Sequence, residues 1–213
     1  MRIRTLLLAA LLASPVVAQQ QPPSGQSRGS RSPDEYIKLL ESEGRISGLQ
    51  VDRVIDALQL TTGQRIADVG SGSGLFTRPL AKKLQGSGMV YAVDIDAELL
   101  KHVEKTAAEQ KLANIKTILA SETDARLPEP VDLIAIIDTL HHIANQAEYF
   151  KGLKKYLRPG GRVAVIDFTK EWPAGHEKLK YTVADLDGWM AGAGFKRAGQ
   201  YDFLTNDFFV IYR

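Results

Sequence analysis

Beyond residue 60 the chain alternates between short apolar runs and stretches whose apolar residues recur every three or four positions. The runs are RIADV, MVYAVD, IKTILA, VDLIAIID, GRVAVIDF, FKRAGQYDF and DFFVIYR, each of strand length. Helical spacing occupies residues 75–84, 97–110, 146–157 and 183–193 between them. Two more helices are predicted upstream: 33–42, from Tyr36, Leu39 and Leu40, and 50–58, from Val51, Val54, Ile55 and Leu58. Strand–helix alternation predicts a parallel sheet with helices on both faces. The last two runs, within QYDFLTNDFFVIYR, leave no room for a crossover helix, so they must pair as an antiparallel hairpin. The expected fold class is α/β: a doubly wound, Rossmann-like, mostly parallel seven-stranded sheet with a C-terminal antiparallel hairpin. No internal repeat is visible.

The pattern fails at the other end of the chain. Arg2 and Arg4 precede a continuous apolar block, Leu6 to Ala13, which Pro15 interrupts before the small residues of VVA and then Gln19. That order of charge, apolar block and small residues is that of a secretory signal, expected to span residues 1–18. The block is too short for a membrane anchor and too uniformly apolar for an amphipathic presequence. Residues 19–32, QQQPPSGQSRGSRS, have almost nothing to bury and read as a disordered linker. The expected organisation is thus signal, linker and one domain over 33–213, with an exported, periplasmic or secreted location and no stable membrane span in the mature chain.

Composition narrows the chemistry. At 213 residues and 44% hydrophobic the chain can bury one sizeable core. It has no cysteine, which removes disulfides, thiolate metal sites and cysteine nucleophiles. Lys and Arg number 27 against 25 acids, and loss of Arg2 and Arg4 with the signal leaves the mature chain formally neutral. No basic cluster with interleaved aromatics is present, so nucleic acid is not an expected partner. Nothing in the sequence speaks to oligomeric state.

The most specific stretch is DVGSGSGLFTRPLAKKL, from Asp68 to Leu84. Glycines at 70, 72 and 74 permit a tight turn between a strand and a helix and close approach of a ligand to the backbone. A dinucleotide site of the form G-x-G-x-x-G would need glycine at 75, where the chain has Leu75. Asp94 ends the next strand about where a reader of ribose hydroxyls belongs. Asp68 adds negative charge beside the turn, which suits a ligand carrying an ammonium and a sulfonium better than a pyrophosphate. Asp96 is expected to cap the helix that follows, and Pro159–Gly160–Gly161 to form a turn between a helix and a strand.

With IADVGSGSGLFT, VYAVDIDAELL, SETDARLP, VDLIAIIDTLHHI and LKKYLRPGGRVAVIDF, the chain from about residue 50 onward resembles the class I S-adenosylmethionine-dependent methyltransferases. The resemblance implies that S-adenosylmethionine is the cofactor. It implies that Asp68, Gly70, Ser71, Gly72 and Gly74 meet the methionine and ribose portions and that Asp94, with Ile95, binds the ribose. It also implies that Asp124, with Ala125, serves the adenine, and that the strand ending at Asp138 stops beside the transferred methyl. The expected acceptor is a small or lipid-like molecule, since the Asn-Pro-Pro-Tyr type signature of amino-methylating nucleic-acid enzymes is missing. The rival reading is an exported protein that binds the cofactor or another nucleoside without catalysis, because the cofactor is made in the cytosol.

Methyl transfer to an activated carbon needs mainly alignment and exclusion of water. Where the acceptor must lose a proton, Asp138, His141 and His142 in DTLHHI are the catalytic candidates, either histidine serving as general base or as a packed structural residue. No metal site is expected: adjacent side chains on an extended segment diverge, and His102 and His176 have no ligand spacing with the pair. The long connection DFTKEWPAGHEKLKYT is expected to cover the acceptor site together with the N-terminal helices.

Overall fold

Apolar runs without alternation need cover on both faces, and that requirement builds the fold. The computed structural model describes residues 29–213; the expected signal and most of the expected linker lie outside the described residues. The strands are β1 (Arg65–Val69), β2 (Met89–Asp94), β3 (Ile115–Leu119), β4 (Val131–Ile137), β5 (Leu157–Phe168), β6 (Arg197–Tyr201) and β7 (Asp207–Tyr212). They form one sheet in the order β3-β2-β1-β4-β5-β7-β6. The first five are parallel, and β7 runs antiparallel to both β5 and β6. The doubly wound sheet with its terminal hairpin is therefore as expected.

The helices are α1 (Pro33–Leu40), α2 (Glu43–Leu49), α3 (Val51–Ala57), α4 (Thr77–Lys83), α5 (Ala97–Glu109), α6 (Gln146–Leu153) and α7 (Val183–Gly192). Side chains alternate between two cores. Ile66 and Leu133 share one face with Val54, Ile55 and Leu80 from α3 and α4. Ala67 and Ile134 share the other with Phe150 of α6 and Leu186 and Met190 of α7. Asp96 caps α5, accepting from the amides of Glu98 and Leu99. Among the described residues no helix is long and apolar enough to cross a membrane.

Three local expectations change. Residues 43–49 form α2 rather than a connection, and Gln50, left-handed at φ 44°, separates it from α3. The helix expected over 146–157 ends at Leu153 and tightens into a 3-10 turn at Lys154–Tyr156. Pro159, Gly160 and Gly161 lie inside β5, where the register jumps from Val131↔Leu157 to Leu133↔Arg162; the turn is looped out of a strand instead of preceding it.

The chain runs outward from β1 through β2 to β3, then returns to place β4 on the other side of β1. The ends of β1 and β4 thus mark a switch point, where open α/β sheets leave a crevice. There Gly70 has φ +74°, and a Cβ on it would lie 2.1 Å from the Thr139 side chain. Thr139 in turn donates from Oγ1 to the Gly70 carbonyl at 3.3 Å.

Gly70→Ala is expected to destabilise the fold by about 2–4 kcal/mol, combining left-handed backbone strain with overpacking against Thr139. Urea unfolding measures this, and a loss below about 0.5 kcal/mol would show that the contact is not a constraint. A second expectation concerns pH. Asp207 is buried, its Oδ1 has no hydrogen-bond partner, and burial together with the charges of Asp138 and Asp167 pushes its pKa up to about 7. In the unfolded chain the same group titrates near 3.9, so its stabilising proton uptake is complete below about pH 4 and is lost as pH rises to 7. Asp207→Asn should therefore gain stability relative to the parent between pH 4 and 7, by about 1–2 kcal/mol at pH 8 once solvent screening is discounted. A difference between the two that does not vary with pH would contradict this origin.

Candidate active site

Each strand end at the switch point delivers one turn, and the turns together wall a cavity of about 380 Å³. That volume falls in the range of small-molecule sites. After β1 comes the glycine turn. Four of its amides are spent internally: Gly70 and Ser71 donate to the Val93 carbonyl, Gly72 to Asp94 Oδ2 at 2.8 Å, and Gly74 to the Ser71 carbonyl. A pyrophosphate would need those N–H groups, so this turn is not built for one. Asp94, at the end of β2, also accepts from the Asp96 amide at 2.9 Å. The carboxylate thus braces the turn across the gap between β1 and β2, with lone pairs left over for a ligand.

The cavity is acidic. Asp68 is buried and accepts from Thr77 Oγ1 at 2.5 Å. Burial pushes its pKa up to about 6, with the Thr77 bond opposing and the Asp94 charge adding to the rise. Burial likewise raises Asp94. After β4, Asp138 sits at φ +46° and receives Nη1 of Arg45 from α2 at 2.5 Å. Burial raises its pKa, Arg45 opposes that, and Asp167 adds to it. Asp138 Oδ1 and the hydroxyls of Ser71 and Ser73 are buried without a partner, and all three residues line the cavity.

Of the residues expected at the cofactor, Asp68, Gly70, Ser71, Gly72, Asp94, Ile95 and Asp138 are on the wall. Gly74 is one layer behind, where its missing Cβ lets α5 approach: a Cβ would meet Val103 at 3.0 Å. Asp124 and Ala125 are not on the wall. Tyr156 and Lys155 donate to the Asp124 carboxylate at 2.6 and 3.0 Å. Although burial works to raise its pKa, these bonds and the Arg126 amide hold it down at about 2. That end of the cavity is lined by Ser121 and Glu122 instead. The sequence offered no sign of Arg45, which comes from the unanticipated α2; the wall also includes Tyr36, Leu40 and Leu179. The expectation that the N-terminal helices and the long connection border the site agrees with those last three.

The histidine pair departs furthest from expectation. Leu140–His142 is a 3-10 turn, not extended chain, so the two rings do not diverge; their centroids are 4.2 Å apart. His141 is buried, and its Nδ1 meets Asp167 Oδ1 at 2.8 Å. His142 is on the cavity wall and partly exposed. Desolvation, then the neighbouring rings of His141 and His176, push its pKa down. His176, from the long connection, stands 5.2 Å from His141 and 5.1 Å from His142 between centroids. Three rings without ligand spacing in the sequence are thus gathered by the fold.

Comparison with known proteins agrees with this geometry. A family model described as a methyltransferase domain matches residues 60–194. An uncharacterized methyltransferase of Mycobacterium bovis is 32% identical over 146 residues, 68% of each chain. A (S)-coclaurine N-methyltransferase of Thalictrum flavum is 24% identical over 155 residues, 73% of this chain and 41% of that protein. A ubiquinone/menaquinone biosynthesis C-methyltransferase of Methylococcus capsulatus is 27% identical over 62% of this chain and 52% of its own length. The chain spans about half the length of most such relatives. Among solved structures, a SAM-dependent methyltransferase from Aquifex aeolicus shares the fold with a TM-score of 0.76 at 24% identity, covering 85% of this chain and 98% of that one. The glycine turn, the acidic crevice at the switch point and the matched family model together place this chain in the methyltransferase-domain family.

Proposed function

We propose that this protein is an S-adenosylmethionine-dependent methyltransferase acting on a small-molecule acceptor with an apolar part. The observation that carries the reading is the charge of the crevice. Asp68, Asp94, Glu122 and Asp138 line it against Arg45, while four amides of the turn, those of Gly70, Ser71, Gly72 and Gly74, are already bonded to protein. Such a site suits a cationic, ribose-bearing ligand and disfavours a phosphate ester. The fit extends to the partnerless atoms: Ser71 Oγ, Ser73 Oγ and Asp138 Oδ1 each lack a hydrogen bond that a polar ligand can supply.

When bound, the cofactor supplies a methyl group on a positively charged sulfur. Asp94 is assigned to the ribose hydroxyls, which its remaining lone pairs can accept. Asp68 and Asp138 hold negative potential near the methionine end, with Arg45 fixing the Asp138 carboxylate and offering a cation to the ligand's own carboxylate. Ser121 and Glu122 take the adenine end in place of Asp124 and Ala125. On the acceptor side Ile143 and Leu179 provide apolar surface beside His142. The names of the relatives, which concern coclaurine and quinones, fit an acceptor of that character. Of the three catalytic candidates, Asp138 and His142 line the cavity, and His142 is assigned to the acceptor, with His141 acting through its neighbours. Export before function is part of the same proposal, on the strength of residues 1–18.

Asp94→Asn keeps an oxygen for only one of the two amides that the carboxylate accepts, those of Gly72 and Asp96, and loses the charge. Calorimetry on the folded variant should show S-adenosylmethionine bound roughly 10–100-fold more weakly, equivalent to about 1.5–3 kcal/mol, alongside a lowered melting temperature from the lost amide bond. Nicotinamide dinucleotide should bind neither form; unchanged affinity in the variant would remove Asp94 from the ribose. Expressed with its native start in a bacterium, the protein should mature to begin at Gln19. A cytosolic chain of full mass in mass spectrometry would end the export proposal.

A further inference from the structure

We propose that His141, His142 and His176 form a binding site for a zinc-type divalent ion, with an open coordination position at the acceptor end of the cavity. One ring nitrogen from each lies within 4.8 Å of the other two. Zinc–imidazole bonds of about 2.0–2.1 Å require these nitrogens to stand roughly 3.3 Å apart in a tetrahedral site. The remaining gap is closed by rotation of rings, one of which, His176, belongs to a loop.

The hydrogen bonds around the cluster select the ligating form of two rings. Asp167 can only accept from His141 Nδ1, so that nitrogen carries the proton and Nε2 is left with its lone pair. His176 Nδ1 faces the carbonyls of Pro173 and Ala174 at 3.2 and 3.3 Å, which again assigns the proton to Nδ1 and the lone pair to Nε2. A carboxylate or carbonyl behind each ligating histidine is the outer support that metal sites use to fix tautomer and ring orientation. Asp167 is itself immobilised: fully buried, it also accepts from the His141 amide, the Phe168 amide and the Tyr181 hydroxyl. Packing adds to this, since the His141 ring has Phe168 and Trp172 at 5.5 and 5.6 Å between centroids. A lone general base needs one such histidine. Three of them converging from two segments, two with their lone pairs exposed by outer hydrogen bonds, form a chelating set.

Three protein ligands leave a tetrahedral ion one position for water or substrate. Because His142 is on the cavity wall, an ion here would take an acceptor's hydroxyl or thiol in that position. The O–H or S–H proton leaves to solvent as the metal–heteroatom bond forms, giving a nucleophile at neutral pH. That role rests on the proposed function; ion binding does not.

The test is calorimetric titration of tag-free mature protein with zinc, paired with visible spectra after cobalt addition. The expected result is one ion per chain and the strong visible bands of tetrahedral cobalt. His176→Gln and His142→Gln should each weaken zinc binding at least tenfold and lose those bands, with the melt of the metal-free protein unchanged. His102→Gln, at the histidine outside the cluster, should bind zinc like the parent. Absence of saturable one-to-one uptake, or parental affinity in His176→Gln, would overturn the site. S-Adenosylmethionine titrated in parallel separates the two claims: cofactor binding without zinc uptake sinks only the metal site, and zinc uptake without cofactor binding sinks only the methyltransferase reading.

Discussion

The structure depends on one steric fact: the backbone after β1 and the side chain after β4 occupy nearly the same space. Gly70 has no Cβ, so Thr139 can stand where one would be. This brings the glycine turn against the Asp138–His142 segment and fixes how far the two halves of the doubly wound sheet open. Every group in the cavity is placed relative to that contact. Asp94 reaches back to Gly72 from one side, and Arg45 reaches Asp138 from the other. A wider separation would leave a solvated cleft in place of a walled pocket.

A second consequence is electrostatic. Concentrating carboxylates in a buried crevice is unfavourable unless they are hydrogen-bonded or paired. The fold meets that cost locally: Thr77 holds Asp68, backbone amides hold Asp94, and Arg45 holds Asp138. What is left is a field of negative sign with few donors pointing inward. The related dinucleotide turn, opening on a phosphate, presents the opposite arrangement. Glycine at 74 instead of 75 is the visible mark of that difference in the sequence.

Elements whose identity is carried by period were legible without coordinates. The strands, the four crossover helices and the hairpin all follow from apolar spacing and from the lengths between runs. The acids at 68 and 94 were also legible, because each ends a strand. What escaped has a common cause, namely short segments in which tertiary contact outweighs local pattern. In α2 only Leu49 is buried, so no apolar stripe betrays a helix. The 3-10 turn at Leu140–His142 looks like continuing strand in one dimension, and this hid the convergence of its two rings. His176 lies 34 residues beyond His142, a pairing that only the path of the long connection creates. Asp124 stands off the cavity wall for a related reason: its hydrogen bonds come from Lys155 and Tyr156, in the 3-10 turn that shortens α6.

The wall of the cavity is not uniformly anchored. Strands β1 and β4 are buried along most of their length, whereas α1 contributes Tyr36 and Leu40 to the wall without burying a single residue fully. Its N-terminal end is secured by a Ser32–Glu35 capping box rather than by core packing. Local opening follows the weakest buried contacts, so α1 is held less firmly than the strands whose ends it faces. The eight residues of α1 thus form the least deeply packed part of the wall described above.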